Sequence, residues 1–125
     1  MKGVASFLIL ALMLFLLESA SYAFCVYNKT DAEIMVTETK GGKGLSRFKA
    51  IISANNHACC NWRNKDCNTG GKRDSIVRFK VEYLLHTGRD SVVYVPICQD
   101  FPIKAGGWLE VVGKNQHYQC KGYYQ

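Results

Sequence analysis

The stretch IVRFKVEYLL, residues 76–85, decides the fold class. Val77, Phe79, Val81, Tyr83 and Leu85 alternate with Arg78, Lys80 and Glu82, a period of two that gives an extended strand one apolar and one charged face. A helix would scatter these side chains around its whole circumference. His86-Thr87-Gly88-Arg89-Asp90 then reads as a hairpin connection, and the chain returns through residues 91–97, where Val93, Val95 and Ile97 interleave with Val92 and Tyr94. Pro96 cannot donate to a strand ladder, so the return strand is expected at an edge or a bulge.

The same alternation recurs on both sides of this hairpin. Residues 24–27 form a strand that stops at the turn Asn28-Lys29-Thr30-Asp31; residues 32–39 then set Ile34 and Val36 against Glu33, Met35 and Thr37. Phe48, Ala50 and Ile52 alternate with Arg47, Lys49 and Ile51 in a third strand that ends at Asn55-Asn56, and a cysteine-pinned loop is expected to follow. Residues 108–112 and 117–124 complete the set across Gly113-Lys114-Asn115. Trp108, following Ala105-Gly106-Gly107, is expected in the core, and Tyr118, Tyr123 and Tyr124 along a sheet edge or on a sticky face. About seven short strands separated by turn signals predict an all-β protein, a single antiparallel β-sandwich stabilised by disulfides. The apolar alternation before Asn28, the turn and the second alternating strand resemble the first hairpin of thaumatin-like and other extracellular β-sandwich proteins. The cysteine spacings of those families do not recur, so no residue role or activity is carried over.

Residues 1–23 read as a signal peptide and residues 24–125 as the secreted domain. Lys2 supplies the positive n-region, residues 4–17 are apolar apart from Ser6, and Ser21 and Ala23 fit the small-residue cleavage site before Phe24. As a helix the apolar run would reach about 21 Å, short of the roughly 30 Å hydrocarbon layer. No second apolar span follows, and the mature chain is expected outside the cell without a membrane anchor.

All six cysteines, Cys25, Cys59, Cys60, Cys67, Cys98 and Cys120, lie after the leader, and an even number in an exported chain predicts disulfides. Six thiols allow about fifteen pairings. The expectation is Cys25 with Cys120, Cys59 or Cys60 with Cys67, and Cys98 with the other member of the doublet. His57, Cys59, Cys60 and Cys67 are also zinc-ligand types, but their spacing matches no C-x2-C finger, and no metal or cofactor is expected.

The net charge is +6, and removing Lys2 with Glu18 leaves it unchanged. Arg63, Lys65, Lys72, Arg73, Arg78 and Lys80 against Asp66 and Asp74 make the most basic stretch. Such a stretch serves solubility as a solvated face, or it attracts an anionic extracellular surface, a polysaccharide, a partner protein or, less favourably, nucleic acid. Trp62 stands inside it beside Cys60, where it either covers the disulfides or contacts a ligand. Trp62, Arg63, Lys65, Lys72 and Arg73 are the candidate binding residues.

Other motifs are thinner. Asn28-Lys29-Thr30 is a glycosylation sequon in an expected exposed turn. The glycine-rich residues 40–46 lack the order of a phosphate loop and read as a hairpin turn, and Lys72-Arg73 is a dibasic pair. His57, His86 and His117, with Glu82, Glu110, Asp66, Asp100 and Arg89, supply the residue types of a small hydrolase such as a ribonuclease. Glu82 and His86 stand about 13 Å apart along one strand, too far to cooperate. A Glu82–Glu110 glycosidase pair would need a deep cleft that a chain of this size has little room for. The expected function is therefore a secreted, non-enzymatic, cysteine-rich binding protein of effector, toxin or antimicrobial type, with no catalytic residues. A hydrolase and a self-associating surface or structural protein are the alternatives.

Overall fold

A computed structural model describes residues 23–42 and 47–124. Residues 1–22, which carry nearly all of the expected leader, and residues 43–46 of the glycine-rich turn lie outside the described residues. Eight strands are present among the described residues: β1 Ala23–Thr30, β2 Ile34–Lys40, β3 Lys49–Ile52, β4 His57–Asn61, β5 Ile76–His86, β6 Val92–Lys104, β7 Trp108–Lys114 and β8 His117–Tyr123. They form two four-stranded sheets, β4-β1-β7-β8 and β3-β2-β5-β6, packed as a sandwich. The chain builds them by alternating between the layers. It crosses from β1 to β2, from β3 to β4, from β4 to β5 and from β6 to β7, with hairpins between.

The inner faces follow the period-two pattern. Phe24 and Val26 from β1, Ile34 and Val36 from β2, Val77, Phe79 and Val81 from β5, and Leu109 and Val111 from β7 are wholly buried. Each contributes about 1.5 to 3 kcal/mol by leaving water. Phe24, Phe48 and Phe79 meet edge to face, with centroids 5.5, 5.6 and 6.0 Å apart, and fill the middle of the sandwich.

Several expectations are corrected. The pairing of β1 with β7 is parallel, while the other strand pairs are antiparallel. Residues 28–30 continue β1 instead of turning. The segment after Asn56, expected as a loop, opens with β4, whose polar residues form a strand because its backbone pairs with β1 from Tyr27↔His57 to Ala23↔Asn61. β6 lies at a sheet edge with register shifts opposite Phe79, Val81 and Glu82, as Pro96 led one to expect. It runs on through Pro102 to Lys104, with Asp100 in the left-handed region at φ 47°.

The disulfides join Cys25 to Cys59, Cys60 to Cys67 and Cys98 to Cys120. Of the expected pairs only Cys60 with Cys67 occurs. Cys25 lies directly opposite Cys59 in the β1–β4 ladder, which puts it out of reach of Cys120, and Cys98 bonds Cys120 instead of the doublet because β6 and β8 are facing edges of the two layers. No helix among the described residues is long and apolar enough to cross a membrane.

Candidate functional site

The segment between β4 and β5 is held in place by asparagines. Asn61 Oδ1 accepts from the Arg63 amide at 3.0 Å and Asn64 Oδ1 from the Asp66 amide at 3.0 Å, the short-range bonds that let Asn replace backbone in turns. Asn68, fully buried, donates from Nδ2 to the carbonyls of Trp62 at 2.7 Å and Lys72 at 3.0 Å, tying the two ends of the loop together. The Cys60–Cys67 bond pins the same loop to β4.

Trp62 is half-buried against the rim of the core, and the Arg63 guanidinium lies 5.3 Å from its ring centroid. Lys65 and Lys72 are exposed on the same loop. Arg73 leaves this group. Its carbonyl accepts from the Gly106 amide at 2.7 Å, and its guanidinium sits 5.9 Å from the ring of Tyr124. The Lys104 ammonium approaches that ring to 4.4 Å. A Cβ at position 106 would meet the Arg73 side chain at 2.8 Å, so a larger residue there would displace the arginine. A shallow cleft of about 310 Å³ opens beside them, lined by Phe101, Pro102, Lys104, Tyr123 and Tyr124 among others. Arg78 and Lys80 are used on the outer face of β5, where Arg78 donates to the Asp100 carbonyl at 2.9 Å and Lys80 pairs with Glu82 at 3.4 Å.

Trp108 is not a core residue. Leu109 and Val111 take the inner face of β7, so Trp108 and Glu110 point outward by the same alternation. The ladders align two rows across the outer face of this sheet: Cys59, Cys25, Trp108 and Tyr123, then His57, Tyr27, Glu110 and Lys121. Trp108 stacks on Tyr123 with centroids 5.3 Å apart and planes within 14°, and Tyr27 meets His57 at 5.3 Å. Lys29 donates to Glu110 at 2.6 Å. That bond, with smaller contributions from the Trp108 and Tyr123 side chains, holds the Glu110 carboxyl below its ordinary range.

Asn28 and Glu38 are polar residues buried on inner faces. Asn28 is 1% exposed. It donates from Nδ2 to the carbonyls of Ala32 at 2.7 Å and Ile52 at 2.9 Å, and its Oδ1 accepts from the Thr30 amide and hydroxyl. The expected exposed sequon is thus an internal clamp, with no room for a glycan on its nitrogen while these bonds stand. Glu38, also 1% exposed, packs against Gly42 with no hydrogen-bond partner for either carboxylate oxygen among the described residues. Burial pushes its carboxyl up to about 7 against the opposing attraction of Arg47.

The hydrolase candidates do not converge. His57 lies on β4, His86 at the end of β5 and His117 at the start of β8. Glu82 and Glu110 occupy the outer faces of opposite sheets. Among the described residues, no group of three or more His, Cys, Asp or Glu is placed to hold a metal ion. Lys104, Tyr124, Trp108 and Tyr123 are what the sequence reading left out of the site. For Trp108 the signal was the phase set by Leu109 and Val111. Tyr123 and Tyr124 are expected only along a sheet edge or on a sticky face, and for Lys104 there is no signal, because it joins Arg73 and Tyr124 only through the packing of three separate segments. Compared with known proteins, the chain matches no family model, no curated protein and no solved structure.

Proposed function

We propose that this chain is an extracellular, non-enzymatic binding protein of effector, toxin or antimicrobial type, exported by residues 1–23, whose cationic end docks on an anionic target. Three disulfides support an oxidising destination. The observation that carries the reading is the convergence of Arg73 and Lys104 on the ring of Tyr124, beside a loop made rigid by Cys60–Cys67 and Asn68. Cations gathered at one end, with Lys65 and Lys72 exposed on the adjoining loop, raise the positive potential that an anion meets there. A rigid loop also loses little conformational freedom on binding.

Replacing Trp62, Arg63, Lys72 and Arg73 together tests it against anionic vesicles and acidic polysaccharides. Binding should disappear, with thermal unfolding still cooperative. Retention of wild-type binding at low ionic strength would remove the proposal.

The self-association alternative is favoured by one observation. On the edge strand β6, Val92, Val93 and Tyr94 are 39, 47 and 44% exposed. Sedimentation over a range of concentrations separates it, because a monomer at every concentration contradicts it.

A further inference from the structure

We propose that the free edge of β6 is the interface for a second copy of this chain. The two molecules pair antiparallel about a two-fold axis at Tyr94 and join their β3-β2-β5-β6 sheets into one continuous sheet. The proposal gives the exposed edge of the self-association reading a definite partner and register, and it stands apart from the cationic-end reading.

The direction of the backbone carries it. The Leu84 amide donates to the Glu33 carbonyl at 2.9 Å, toward the β2 side of β5 and away from β6. In an antiparallel ladder, opposite residues point their backbone groups either at each other or both away. Tyr94 lies opposite Leu84, so its N–H and C=O face the open edge, and by alternation so do those of Val92 and the carbonyl of Pro96. Pro96 fits this phase, because its missing N–H leaves the β5–β6 ladder whole. From Glu82↔Pro96 to His86↔Val92 the register runs unbroken, and Val92, Val93, Tyr94 and Pro96 are exposed. Such a row of donors and acceptors is complemented by another extended strand.

A second copy of the same strand meets that demand. About a two-fold axis each Tyr94 exchanges N–H···O bonds with its counterpart, and each Val92 N–H donates to a Pro96 carbonyl across the axis. Residues 91–98 hold no charged side chain, whereas the edge strands β3 and β8 carry Lys49 and Lys121, charges that keep like molecules apart. At the hairpin tip Arg89 is balanced by Asp90. Lys104 lies at the far end of β6, about 30 Å along the strand from Tyr94 and well beyond a Debye length of about 8 Å. Antiparallel pairing therefore sends the two cationic ends to opposite extremes of the dimer. A strand pair this short buries less than the roughly 1,200 Å² of a stable complex, so the dimer forms and dissociates with concentration.

Sedimentation equilibrium of the oxidised protein from about 1 μM to about 1 mM tests it and should read a monomer–dimer equilibrium. Tyr94→Pro removes the central donor on the open side and no bond to β5. Tyr94→Lys sets two cations against each other across the axis. Each should weaken dimerisation at least about tenfold. Tyr94→Glu should weaken it likewise, and an equimolar mixture of the Lys and Glu variants should recover it, since only a two-fold contact at residue 94 brings the two side chains together. Should the proline variant fail to fold, the Lys and Glu variants carry the measurement. Replacing Trp62, Arg63, Lys72 and Arg73 together should leave dimerisation unchanged.

Monomers at every concentration overturn the proposal and leave the edge to an extended segment of another protein. A dimer that survives Tyr94→Lys, or a Lys and Glu mixture that associates no better than its components, overturns it in favour of another surface of the chain. Loss of the dimer in the fourfold loop variant would move the contact to the cationic end and overturn it as well.

Discussion

Cys98 on β6 and Cys120 on β8 are bonded from one sheet to the other, with their Cα atoms 6.4 Å apart. The other two disulfides act within one layer: Cys25–Cys59 spans neighbouring strands and Cys60–Cys67 ties a loop to β4. Opening Cys98–Cys120 therefore frees two facing edges that hydrogen bonds do not join. Replacing both cysteines with serine should lower stability by about 3 kcal/mol, read as a shift in the urea midpoint. An unchanged midpoint would show that the core alone holds the layers together.

Glu38 should give the protein an inverted pH response. In the unfolded chain its carboxyl ionises near the ordinary 4.5, and in the folded protein near 7, so between these values the unfolded state releases the proton first. The contribution from Glu38 thus falls as pH rises through that window and levels off above it. Glu38→Gln should remove this slope and leave the variant more stable by roughly 2 kcal/mol at mildly alkaline pH. Parallel stability–pH curves for the two proteins would contradict the burial of the carboxyl.

Asp31 acts in the opposite sense. The Tyr118 hydroxyl, donating at 2.6 Å, and then the Asn115 amide at 3.0 Å hold its carboxyl below the ordinary range and tie the β1–β2 turn to the β7–β8 turn. That stabilisation is present above the ordinary carboxylate range and is lost as pH falls through the lowered folded value. Tyr118→Phe should weaken the acid dependence of unfolding while retaining the 5.0 Å ring contact with Tyr83. An acid limb identical to wild type would assign the bond no energetic role.

Asn28 should behave as a core residue. Truncation to alanine removes the Nδ2 bonds to the carbonyls of Ala32 and Ile52 and the buried acceptor of the Thr30 amide, leaving Ala32 only the Thr30 hydroxyl, and costs about 2 to 3 kcal/mol. Protein secreted by a glycosylating host should carry no sugar there, which intact mass reads directly. A fully glycosylated, stable product would contradict the buried clamp.

Much of this was legible because alternation is a local property. The phase of Val77, Phe79 and Val81 specifies which face is buried, and that of Ile34 and Val36 also carries Glu38 inward, though a carboxylate argues for solvent. Pro96 announced an edge strand for a similarly local reason, its missing amide hydrogen. β4 escaped notice because His57, Ala58, Cys59, Cys60 and Asn61 have little strand preference of their own. Their backbone is extended because β1 offers it partners.

Residue order alone was enough for the all-β class, the inward and outward faces of most strands, the sulfur-pinned loop and the excess of cations. The folded molecule was needed to pair Cys98 with Cys120, run β1 parallel to β7, turn Asn28 inward and bring Arg73, Lys104 and Tyr124 together. The first group depends on neighbours one or two residues apart, whose geometry the chain fixes at every step. The second depends on contacts between distant segments, where many arrangements satisfy the same alternation and packing of the two layers selects one.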